Sequence, residues 1–130
     1  MIKIKRTYES PSRDDGQRIL VERLWPRGMK KESLQIDGWL KDVAPSNALR
    51  HWYAHKVERW PEFRRRYLAE LRKTFAAQKG PTGRRLVEPR GFVVLLEAAR
   101  RGDVTLLYSA RDTKHNSAIL LREFLLSKLK

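Results

Sequence analysis

DVTLLYSARDTKHNSAILLREFL, residues 103–125, decides the fold. Val104–Tyr108 is an unbroken run of apolar and β-branched residues, as expected of a strand buried on both faces. Ser109 to Lys114 is polar. From about His115 onward Ala118, Leu121 and Leu125 recur at helical spacing, which predicts a closing helix with that face inward. A buried strand entering a helix through a short polar loop is half of a parallel α/β unit.

Working outward, Pro89 opens a predicted helix with Phe92, Leu95, Leu96 and Ala99 on one face and Gly102 as its terminator. Upstream, Trp60, Phe63, Tyr67, Leu71 and Phe75 form a helical stripe with Pro61 in its first turn, while Arg64, Arg65 and Arg66 turn mostly away. Gly80-Pro81 closes that helix, and residues 79–88 read as a basic linker within the domain. Ser46 is expected to cap a helix carrying Leu49, Trp52 and Tyr53. Asp37 is expected to cap a short helix through Trp39 and Leu40, ended by Pro45. Nearer the N-terminus, Ile2–Lys5 alternates as an edge strand should. Residues 9–17 are turn formers, and Arg18–Leu24 reads as a more buried strand stopped at Trp25-Pro26-Arg27-Gly28. The prediction is a single α/β domain over residues 1–130, with a small, mainly parallel sheet packed against helices.

Composition narrows the function. The chain has 130 residues, 29 Lys and Arg against 15 Asp and Glu, a net charge of +14 and no cysteine. With 41% hydrophobic and 34% charged residues it is too apolar for a disordered basic tail. No apolar run nears the ~18 residues of a membrane span, and the alternating N-terminus is not a signal-peptide core. A cytoplasmic setting is expected. The missing thiols exclude cysteine nucleophiles and Cys-ligated metal centres. Half of the excess charge falls within Arg59–Arg90, which holds ten basic and three acidic residues.

Ligands of open parallel sheets bind beyond the carboxyl ends of the strands. Two loops are predicted there. The first carries Arg23, Trp25, Arg27 and Gly28, with guanidinium groups suited to phosphate or carboxylate and an indole to wall the site. The second carries Ser109, Arg111, Asp112, His115 and Asn116 ahead of a helix N-terminus. It is laid out like a cysteine-phosphatase loop without the cysteine, and it is not a Walker P-loop. Asp112 and His115 are the acid–base candidates if a reaction occurs. The plainer readings are that Trp25 packs under the sheet, the arginines pair with acids, Asp112 or Thr113 caps the helix and His115 lies on its surface. Ser109 lacks the GxSxG setting of a serine nucleophile. His51 and His55 are spaced to share a helix face, but Trp52 stands where a zinc motif needs glutamate, so neither a metal nor a cofactor is expected.

The leading expectation is a protein that binds an anionic small molecule at these loops, with hydrolase or transferase chemistry left open. The first alternative is a nucleic-acid-binding accessory protein using Arg64, Arg65, Arg84 and Arg85. The second is a non-catalytic protein-interaction module, for which four Trp supply aromatic surface.

Three stretches make the sequence distinctive: RILVERLWPRGMKKESLQIDGWLKDVAPSNALRHWYAH (18–55), ERWPEFRRRYLAEL (58–71) and VTLLYSARDTKHNSAILLREFL (104–125). Over nearly the whole chain it resembles the YeaO-like branch of the domain-of-unknown-function 488 family. The family's motifs fall on Arg23, Trp25, Pro26, Arg27, Gly28, Trp39, Lys41, Pro45, Ser46, His55, Trp60, Phe63, Arg111, Asp112, His115 and Asn116. The resemblance implies no assigned activity. Longer relatives carry cysteine near the final strand and a Cys-His-Arg segment before the final helix. Here Tyr108-Ser109 and His115-Asn116 occupy those places, so thiol chemistry does not carry over. Lys56-Val57 likewise replaces an Asp-Pro pair.

Overall fold

The computed structural model describes residues 1–79 and 90–129. Its four strands are β1 (Ile2–Arg6), β2 (Gln17–Leu20), β3 (Gly38–Trp39) and β4 (Val104–Tyr108). They form one sheet in the order β1-β4-β2-β3, every neighbouring pair parallel. All five residues of β4 are buried, which suits its place between β1 and β2. The α-helices among the described residues are α1 (Lys31–Leu34), α2 (Asn47–Tyr53), α3 (Trp60–Lys79), α4 (Gly91–Arg101) and α5 (Ser117–Lys128). None of them is long and apolar enough to cross a membrane.

Period-two alternation divides the core between the two faces of the sheet. Ile19, Val21, Val104, Leu106 and Tyr108 join residues of α2 to α5 in the main cluster, including Phe63, Tyr67 and Leu71 of the predicted stripe. Leu20 and Leu107 face the other way and meet Leu34 of α1, with Trp25, Met29, Ile36 and Trp39 packed around them. Each fully buried leucine contributes about 1.5–3 kcal/mol. That burial holds the 25–39 segment to the sheet although it has little regular structure. Arg18 is buried on this second face, where its guanidinium donates to the Leu34 and Gln35 carbonyls and pairs with Asp15 at 2.5 Å. Burial opposes ionisation of Asp15, yet the Ser12 N–H, Lys5 and Arg18 together hold its carboxyl below the usual aspartate range.

Several helix boundaries follow the sequence. Ser46 accepts from the Leu49 N–H and caps α2, and the Gly102 N–H closes α4 on the Ala98 carbonyl. Other boundaries are corrected. The strand expected over Arg18–Leu24 ends at Leu20, because the neighbouring ladders end at Tyr108 and Trp39, and Leu24 is 59% exposed. No helix runs from Asp37 through Trp39 and Leu40; a single 3-10 turn follows at Lys41–Val43. Instead the free edge of β2 captures this segment: the Asp37 N–H bonds the Arg18 carbonyl at 2.7 Å, Asp37 Oδ2 takes the Arg18 N–H, and Leu40 N–H reaches the Leu20 carbonyl. The short α1, which lacks a side-chain cap, has no clear sequence signal. Finally, α5 begins at Ser117 rather than His115, and Asn116 caps it instead of Asp112 or Thr113. The expectations at Gly80-Pro81, in the 80–88 part of the linker and at Pro89 lie outside the described residues.

Candidate functional site

Parallel register places the ends of β1, β2 and β4 on one side, so residues about a hundred positions apart meet there. Arg6, last in β1, donates from Nε to the Ala110 carbonyl at 2.9 Å and from Nη2 to the Ser109 carbonyl. Its guanidinium lies 5.2 Å from the Tyr8 ring centroid, and the Tyr8 hydroxyl donates to the Arg27 carbonyl at 3.0 Å. Thr7 Oγ1 and Ser109 Oγ are 3.2 Å apart. Thus Arg6, Thr7 and Tyr8 connect the loop after β2 to the loop after β4.

Glu22 follows β2 in the first of these loops, and Ser109, His55 and Arg50 each favour its ionised form. Burial outweighs these influences and pushes the Glu22 carboxyl above the usual glutamate range. Its own carbonyl accepts the Trp39 indole N–H at 2.5 Å.

The loop ahead of α5 is internally tied. Asp112 Oδ1 accepts the Lys114 and His115 N–H groups at 2.8 and 2.9 Å, and Oδ2 lies 2.9 Å from His115 Nδ1. The Lys114 N–H is the main influence holding the Asp112 carboxyl low, with His115 adding to it. Asn116 is buried: its amide donates to the Asp112 carbonyl and its Oδ1 caps α5 through the Ile119 N–H. The His115 ring stands edge-on to Trp60, centroids 5.3 Å apart. Next to Trp60 is Tyr53, whose hydroxyl is pushed up by burial and, secondarily, by Asp112 and Glu58.

The residues of the first predicted constellation go different ways. Arg27 is exposed and makes no ion pair with any described residue; Arg111, of the second loop, has the same character. Gly28 is exposed in a positive-φ turn at 77°. Trp25 donates to the Met29 carbonyl at 2.7 Å and packs edge-on against Trp39, as in the plainer reading. Arg23 points elsewhere. It donates to the Pro45 carbonyl at 2.7 Å and lines a cavity of about 230 Å³ with Ser46, Tyr67, Glu70 and Lys73.

His51 and His55 do not share a helix face, because α2 ends at Tyr53 and both Ala54 and His55 have positive φ, 48° and 57°. Two successive non-glycine residues in that region store strain. Among the described residues no three His, Asp or Glu side chains converge to hold a metal. On α3, Arg64 forms a two-pronged pair with Glu123 at 2.7 and 2.8 Å, and Arg65 a similar pair with Glu62. Arg84 and Arg85 lie outside the described residues.

Glu22, Arg6 and Tyr8 went unnoticed in the sequence. A faint signal existed for Glu22, an acidic residue just beyond a buried strand run. Arg6 and Tyr8 acquire their roles only through strand register.

A family model described as the inactive DUF488-N3 subclade matches residues 1–80 and 84–130. The chain is 41% identical to the uncharacterized protein YeaO of Escherichia coli (strain K12) over 126 residues, 97% of each chain. It is 46% identical over 90 residues to the uncharacterized protein Rv3073c of Mycobacterium tuberculosis (strain ATCC 25618 / H37Rv), covering 68% of this chain and 76% of the relative. No solved structure gives a significant match.

Proposed function

The chain belongs to the DUF488 family, in the subclade described as inactive, and from that premise we propose that it binds an anionic small molecule without turning it over. The site is the rim formed by the loops after β2 and β4, with Arg27 and Arg111 as the anion contacts. One observation carries this reading. Arg27 and Arg111 make no ion pair among the described residues, whereas Arg64 and Arg65 on α3 are matched to Glu123 and Glu62. Unmatched guanidinium groups in loops at the carboxyl ends of parallel strands can form charge-assisted, bidentate bonds with phosphate or carboxylate.

In this reading Asp112 and His115 are positioning residues. They lock the loop that carries Arg111, and the hydrogen bonds of Asp112 account for their pairing without invoking proton transfer. The nucleic-acid reading has less support, since two of its four arginines are already neutralised locally. Calorimetric titration with phosphate- and carboxylate-bearing metabolites tests the proposal. Arg27→Ala and Arg111→Ala should each weaken a retained ligand by about tenfold, the worth of one charged hydrogen bond. Unchanged affinity in both variants would overturn it.

A further inference from the structure

We propose that the cavity lined by Arg23 and α3 is a second site, which takes a small monocarboxylate held by Arg23 and Lys73. It is separate from the strand-end site, since neither Arg27 nor Arg111 lines it.

The cavity is built on α3. Tyr67, Glu70, Leu71 and Thr74 recur at helical spacing and form one stripe. Two anchors hold that stripe against the chain between β3 and α2. The buried Tyr67 hydroxyl donates to the Val43 carbonyl at 2.6 Å. Glu70 takes the Ser46 N–H at 2.9 Å and the Ser46 hydroxyl at 2.6 Å. Arg23 reaches the same chain, its Nε donating to the Pro45 carbonyl at 2.7 Å. The space they enclose is about 230 Å³, with Leu71 and Ala44 as apolar walls. At ~30 Å³ for each water, that is room for about seven waters, or for an acid of a few carbons. Nucleotides and other larger ligands need more, since their pockets run to ~300–1,000 Å³.

The groups left over on these walls are donors. Arg23 uses Nε on Pro45 and reaches the Ala44 carbonyl with Nη2 at 3.5 Å, while Nη1 has no partner among the described residues. The Lys73 ammonium and the Thr74 hydroxyl likewise bond no described residue. The acids are committed. Both Glu70 oxygens accept from Ser46, and Asp42 Oδ2 accepts from Gln78 Nε2 at 2.6 Å and the Gly91 N–H at 2.8 Å. Asp42 Oδ1 is buried. The ligand must therefore accept, and a carboxylate matches the free edge of a guanidinium. Charge sets the class further. Two cations share the cavity with two carboxylates, so a phosphate, with nearly two negative charges, is repelled more than a monoanion.

The experiment follows amide chemical shifts in titrations with lactate, lactamide and inorganic phosphate at constant ionic strength. Lactate should give saturable shifts on Ser46 and residues 67–74. Lactamide, of the same shape without the charge, should bind about tenfold more weakly, the worth of one charged hydrogen bond. Phosphate should also bind more weakly than lactate there. Lys73→Ala removes an exposed cation and should weaken lactate about threefold. Arg23→Gln should weaken it about tenfold. Lys73→Ala carries the test if loss of the Pro45 bond unfolds that variant. The shifts at 67–74 should persist in the Arg27→Ala, Arg111→Ala double variant. Lactate shifts confined to residues 109–116 and lost in that double variant overturn the cavity site and leave the strand-end site standing. No saturable shift at 67–74, lactamide or phosphate binding as tightly as lactate, or indifference to Lys73→Ala also overturns it.

Discussion

Nδ1 of His115 lies 2.9 Å from Oδ2 of Asp112, while the other carboxylate oxygen takes the Lys114 and His115 N–H groups. One aspartate therefore organises the whole approach to α5, including the segment that presents Arg111. Its carboxyl is held low, first by the Lys114 N–H and then by His115. A lowered folded-state value means that the stabilisation is present above the usual aspartate value of 3.8 and is lost as pH falls through the folded one. Asp112→Ala should lower the melting temperature at neutral pH. The gap from wild type should shrink as the solution is acidified, as followed by circular dichroism across a pH series.

Glu22 should behave in the opposite sense. Burial raises its carboxyl, so its ionised form is disfavoured by folding, and stability falls as pH rises from the usual glutamate value of 4.5 through the folded one. Glu22→Gln should raise the melting temperature at neutral pH, and the gain should vanish below that usual value.

Tyr67 is 1% exposed, and its hydroxyl donates to the Val43 carbonyl at 2.6 Å. Tyr67→Phe leaves that carbonyl without its partner and should cost about 1–2 kcal/mol in urea denaturation. Burial also pushes the phenol well above the ordinary tyrosine range, so in an alkaline absorbance titration this ring should ionise only on unfolding.

Gly16 turns the chain into β2 with φ 63° and ψ −135°, and a Cβ there would run into the Asp103 carbonyl. That carbonyl is held by the Gln17 N–H at 3.0 Å and has little room to move. Strain and overlap together should make Gly16→Ala destabilising by about 2–4 kcal/mol, measurable by the same denaturation.

On the surface of α3, Arg64→Ala and Arg65→Ala each remove an exposed ion pair and should change stability by no more than about 1 kcal/mol. Neither should alter binding of the small anion. If α3 were instead a nucleic-acid face, duplex affinity would fall steeply with salt, by about 0.9 in log K per neutralised phosphate. These substitutions would then flatten that slope.

Local runs carried most of the fold in the sequence. The five buried residues of β4 and the aromatic stripe of α3 read clearly because their environments are uniform along one element. The Asp37–Leu40 segment was illegible because its conformation depends on a distant free edge: the backbone of β2 supplies bonds that outcompete an isolated helical turn. The site divides in the same way. Asp112, His115 and Asn116 are close in sequence and interact locally, so they stood out. Arg23 stands in the predicted loop, yet its guanidinium is spent on the Pro45 carbonyl, a partner that only the fold brings near. Arg6 joins only because β1 ends level with Tyr108 of β4.

Amide chemical-shift mapping during a titration with ethyl phosphate tests the central claim most directly. Anion binding at the carboxyl ends predicts saturable shifts concentrated on Arg27, Gly28 and residues 109–116, with the α3 face around Arg64 and Arg65 unmoved. Shifts centred on α3, or none that saturate, would contradict it.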